Sequence, residues 1–98
     1  MNSEHTLEAV GFHKPALGLV TTHACHYCED AYADLLARAV RGEITLQTWT
    51  ATSSTGQRLL SEHRPSLFPL ILLDGEFFSA GRLSVRKLER ALALHEAA

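Results

Sequence analysis

Cysteine is scarce in this chain of 98 residues: there are two, and they stand three apart. A lone pair is a poor structural staple, and in a reducing compartment it points to reactivity or metal binding instead. Neither sign of charge dominates, because nine Lys and Arg meet eleven Asp and Glu for a net charge of -2. That balance removes the electrostatic case for nucleic acid or an anionic membrane surface as partner. Long apolar runs are missing too, and a membrane helix needs roughly 20 such residues. Met1-Asn2-Ser3-Glu4-His5 has neither the basic start nor the apolar segment of a secretory signal, so the expected location is the cytoplasm. Repeats, low-complexity blocks and interdomain linkers are absent from the sequence. One domain with a single modest core, acting as a monomer, is the expectation.

What is present is a run of short, well-punctuated elements. Residues 1–14 are polar and weakly patterned, a tail or short extra helix over Leu7, Val10 and Phe12, and the domain itself spans 15–98. Ala16 to Val20 is a short apolar run, expected as a buried central strand. After a loop, Cys28, Ala31, Tyr32, Leu35, Leu36, Ala39 and Val40 recur at helical steps, and Gly42 is a natural stop. Ile44 to Trp49 alternates like a half-buried strand, and the hydroxyl-rich stretch from Thr50 to Gly56 leads into a helix ending near His63, before Pro65. Pro69 to Leu73 and Glu76 to Ala80 flank Asp74-Gly75, a hairpin signal. Ser84 then caps a last helix with Val85, Leu88, Leu92 and Ala91 turned inward. The order is βαβαββα, which makes the first two strands parallel and the last two a hairpin in a four-stranded mixed sheet flanked by helices.

The two cysteines bracket a helix start in Cys25-His26-Tyr27-Cys28. Thiols at that spacing face each other across one turn. The helix N-terminus supplies partial positive charge and free amide donors, which favour the thiolate of Cys25, the attacking species in disulfide exchange. Cys28, one turn deeper, is placed to act as resolving thiol. His26, as an imidazolium, would stabilise the Cys25 thiolate further.

With the Cys25-x-x-Cys28 pair after the first strand, Phe68-Pro69 opening the hairpin and Gly81 before the last helix, the chain resembles the thioredoxin superfamily in its compact glutaredoxin or mycoredoxin form, over about residues 15–96. The resemblance implies a thioredoxin fold of the α/β class and a thiol–disulfide oxidoreductase reducing protein or small-thiol mixed disulfides, as part of cellular redox homeostasis. It implies a cis bond before Pro69, which would present the backbone of Phe68 to an extended substrate. It also implies substrate contacts at Tyr27 and Gly81, and an approach of an anionic thiol's carboxylate to Arg82. The electron donor would be a reductase, or glutathione or another low-molecular-weight thiol, with no tightly bound cofactor. Thr22 replaces the lysine many glutaredoxins carry, Leu67-Phe68-Pro69 replaces their threonine-valine-proline, and no acid follows Gly81. Weak use of glutathione is therefore expected.

Two other classes of function compete with exchange. His23, Cys25, His26 and Cys28 are four potential metal ligands, but all lie on one short segment, whereas structural zinc draws on two. A carrier of an iron–sulfur cluster or metal through Cys25 is one alternative, and a non-catalytic adaptor using the groove at Phe68 is another.

Overall fold

The computed structural model describes residues 14–97, so the segment assigned as a tail or extra helix lies, Lys14 apart, outside the described residues. The elements follow in the order β1 (Ala16–Thr21), α1 (His26–Val40), β2 (Thr45–Thr50), α2 (Ser54–His63), β3 (Leu70–Leu73), β4 (Glu76–Ala80) and α3 (Val85–Ala97). The sheet runs β2-β1-β3-β4, with β1 parallel to β2, antiparallel to β3, and β3 antiparallel to β4. This is the α/β, thioredoxin-like architecture that the element order implies, a four-stranded mixed sheet flanked by helices.

Local chemistry explains where the elements stop. At the end of α1, Gly42 has φ +83°, a conformation costly for residues with a Cβ. Its N–H donates to Ala39 O (3.0 Å) and that of Glu43 to Arg38 O (3.0 Å), the double closure that satisfies a helix's last carbonyls. Ser53 caps α2 by accepting from Gly56 N–H (2.9 Å), and Ser84 caps α3 by accepting from Lys87 N–H (3.2 Å). Asp74 and Gly75 both have positive φ, 51° and 85°, as the two central residues of a tight hairpin turn of that type require.

Alternation along the strands builds two core clusters, one on each face of the sheet, where the chain's length led to an expectation of one. Leu17 and Leu19 of β1 and Ile71 of β3 join Ala31 and Leu35 of α1, Ile44, Phe78 and Leu88 of α3 on one side of the sheet. Val20, Leu70 and Leu72 point the other way, onto Leu59 of α2, with Trp49 and Phe68 packed alongside. Burying each such leucine is worth ~1.5–3 kcal/mol relative to exposure. Gly18 faces this second side because Trp49 lies over it; a Cβ there would be 3.0 Å from the indole.

Two further sequence expectations need correction. Tyr32, Leu36 and Val40 of α1 are exposed (43, 40 and 79%), as is Val85 at the start of α3 (43%). Only the narrow stripe Cys28, Ala31, Leu35 and Ala39 meets the sheet. A neighbouring helical residue is turned by about 100°, so Tyr32, Leu36 and Val40 fall on the flank. An ion-pair hub ties this layer together: Arg38, nearly buried, meets Asp34 (2.8 Å), Glu43 (3.7 Å) and Glu89 of α3 (3.6 Å). The hydrogen bond that Arg38 Nε donates to Asp34 Oδ1 holds the guanidinium above its usual pKa. Among the described residues no helix is long and apolar enough to cross a membrane.

Candidate active site

Cys25 is the N-cap of α1, in extended backbone (φ -117°, ψ 105°), and its Sγ accepts the N–H of Cys28 at 3.1 Å. Its carbonyl accepts the N–H of Glu29 (3.1 Å), so the helix ladder starts at this residue. Ser, Thr, Asp and Asn are the usual N-caps because they bring an oxygen to the free amides. Here a sulfur takes that place. The two cysteines are joined in a disulfide with Cα atoms 5.1 Å apart. Cys25 is partly exposed, whereas Cys28 is 4% exposed and turned onto the sheet. An amide aimed at Sγ and the positive end of a 15-residue helix both stabilise negative charge on Cys25 once the disulfide is opened.

The loop that delivers Cys25 contains an unusual backbone. Ala24 has φ +52°, a left-handed conformation that costs an L-residue roughly 1–2 kcal/mol. An alanine carries no sequence signal for that conformation, so the feature was invisible until the fold was known. It turns the chain from β1 into the helix within a few residues.

The other residues singled out in the sequence occupy the same end of the sheet or its rim. Val20 pairs with Leu70, so Phe68 and Pro69 stand just beyond that pair, where β1 runs out toward Cys25. The Phe68–Pro69 bond is cis, Pro69 is fully buried, and the Phe68 ring packs with the cluster under α2. Gly81 (φ +92°) donates its N–H to Pro69 O at 3.0 Å. Tyr27, in the first turn of α1, is 44% exposed, and Arg82 is exposed on the loop to α3. His26 is highly exposed and stands 3.7 Å from Asp30, one turn on. That carboxylate would neutralise part of the field of a His26 imidazolium at Cys25. His23 is an exposed loop residue. Among the described residues, no three His, Cys, Asp or Glu side chains assemble as a group able to hold a metal ion.

Leu67 stood in the sequence only as a departure from the threonine-valine-proline pattern, with no role of its own. Its side chain covers Gly81: a Cβ on that glycine would lie 3.0 Å from Leu67 Cδ1 and 3.3 Å from Leu67 Cβ. The close approach that a glycine permits is thus made by the chain itself. A separate hollow on the α2 side, lined by Ala16, Gly18, Gln47, Trp49 and Leu72 among others, lies toward the opposite end of the sheet and has no titratable lining.

No protein-family model matches the chain, and no curated protein matches it in sequence. Among solved structures it is similar to a Staphylococcus aureus protein of unknown function. The TM-score is 0.61 and the identity 12%, with 89% of this chain and 95% of that one covered. At that identity the likeness concerns the fold alone.

Proposed function

We propose that the protein is a thiol–disulfide oxidoreductase of the glutaredoxin-like kind, reducing protein or small-thiol mixed disulfides in the cytoplasm. The observation that carries this reading is the pairing of a partly exposed N-cap Cys25, its Sγ held by the Cys28 amide, with a buried Cys28 at bonding distance. In the reduced protein, the Cys25 thiol loses its proton to solvent and the thiolate attacks one sulfur of a substrate disulfide. A Cys25–substrate disulfide forms, and the other substrate sulfur leaves as a thiolate that takes up a proton. Cys28 then loses its proton and attacks Cys25 Sγ, which releases the second substrate sulfur and forms the Cys25–Cys28 disulfide. Two electrons pass to the substrate, and an external thiol or reductase returns them. The amide of Cys28 serves both states, since it donates to a Cys25 thiolate as it does to the disulfide sulfur.

The experiment is a single-turnover one. Protein reduced with dithiothreitol and freed of it is mixed with insulin, and free thiols on each partner are counted. Wild-type protein should transfer two electrons per molecule, and Cys25→Ser none. Absence of transfer from the wild type to insulin, and equally to glutathione disulfide, would refute the proposal.

A further inference from the structure

The geometry points to Leu67 as a specificity-determining residue that favours disulfides within apolar polypeptide over small anionic thiol disulfides. This inference rests on the exchange reading of Cys25 and Cys28 and adds to it the class of substrate. Three observations carry it. First, Gly81 sits one hydrogen bond from Pro69, at the sheet end that bears Cys25, with the positive φ and bare Cα that let another backbone come close. Second, that space is filled, because Leu67 Cδ1 lies within 3.0 Å of where a Gly81 Cβ would be. A peptide thiol approaching Gly81 therefore meets the Leu67 side chain and not the bare glycine. Third, Leu67 fills the ledge without being buried. It remains 57% exposed, and Tyr27 (44%) and Val85 (43%) also stand at this end of the sheet, each from a different segment. Topology places them there: α1 starts after β1, α3 starts after β4, and Leu67 precedes β3. The rim offered to a substrate thus carries three exposed apolar side chains among polar ones such as Arg82 and His26, and an extended segment with apolar side chains beside its cysteine gains contact with them that glutathione does not.

The experiment compares two substrates with dithiothreitol as the recycling reductant, so that the natural donor plays no part. Steady-state kcat/KM is measured for insulin and for glutathione disulfide with the wild type, Leu67→Ala and Leu67→Met. Wild-type protein should prefer insulin. Uncovering the ledge in Leu67→Ala should raise kcat/KM for glutathione disulfide and lower it for insulin, shifting the ratio by about tenfold, the effect of a few methylene groups in a recognition contact. Leu67→Met, which keeps an apolar cover of similar volume, should restore the wild-type ratio. The rate at which iodoacetamide alkylates Cys25 reports whether the thiol itself has changed, and it should stay the same in all three. If the alanine variant does not melt cooperatively, Leu67→Thr makes the same measurement. A ratio that moves less than about twofold in a folded variant, against the tenfold expected of such contacts, would overturn the role of Leu67 while leaving the exchange reading intact. Failure of the wild type to reduce either substrate would overturn both.

Discussion

Replacing Gly56 with alanine should destabilise the protein, although the same change inside an ordinary helix stabilises it by up to ~1 kcal/mol. Gly56 is the third residue of α2 and is buried against the end of β2. A Cβ there would collide with the carbonyl oxygen of Thr50 and would stand 2.9 Å from Ser53 Oγ. The obstacle is backbone, so the first turn of α2 must move away from Thr50. Overpacking of this kind costs ~1–3 kcal/mol. The shift also pulls on Ser53, whose hydroxyl accepts from Gly56 N–H (2.9 Å) and donates to Thr50 O (2.8 Å). Losing that cap costs a further ~1 kcal/mol. Against the propensity gain, the net is about 2 kcal/mol of lost stability, or a fall in Tm of ~8–16 °C for a domain of this size. Circular dichroism melts and urea titrations of the oxidised protein measure it, and the urea midpoint should fall with an unchanged slope. A Gly56→Ala protein as stable as the wild type, or more so, would refute the packing argument.

Three further outcomes follow from the site and its surroundings. In reduced protein, iodoacetamide below neutral pH should label Cys25 before Cys28, because only Cys25 combines exposure with the helix-end donors; peptide mapping decides it, and Cys28 labelled first would reverse the assigned roles. Cys28→Ser should attack disulfides through Cys25 but accumulate protein mixed disulfides, visible on non-reducing gels and absent from Cys25→Ser; normal turnover of protein disulfides by Cys28→Ser would make Cys28 purely structural. Arg41, 2.7 Å from Glu43, holds that carboxyl below its usual value of 4.5. A carboxylate depressed in the folded state adds stability that is complete above the unfolded pKa and vanishes as pH falls through the folded one. The Tm difference between wild type and Glu43→Gln should therefore be constant near neutrality and shrink below about pH 4.5; a difference that grows with acidity would show the sign to be wrong.

The elements of this fold were legible because each carries its own local chemistry. Ser53 and Ser84 supply cap oxygens, Gly42 and the Asp74-Gly75 pair accept positive φ, and strand alternation separates Leu19 and Ile71 from Val20 and Leu70. The Cys25–Cys28 pair was legible for the same reason, since helical spacing alone brings residues three apart together. Four things were decided only by tertiary structure: the exposed flank of Tyr32, Leu36 and Val40, the left-handed Ala24, the collision waiting at Gly56, and the seat of Leu67 on Gly81. Periodicity states that a helix has an apolar side but not how much of it a neighbour will cover, and α1 meets the sheet along a narrow stripe. Leu67 and Gly81 are fourteen positions apart, on either side of a hairpin, and nothing in the spacing of either records the other. Their contact depends on how β3 and β4 pair, on the bulge between Ile71 and Leu72, and on where the loop before Pro69 crosses the sheet end. Dihedral preference and face are local properties of a chain, whereas the space left between segments exists only once they have packed.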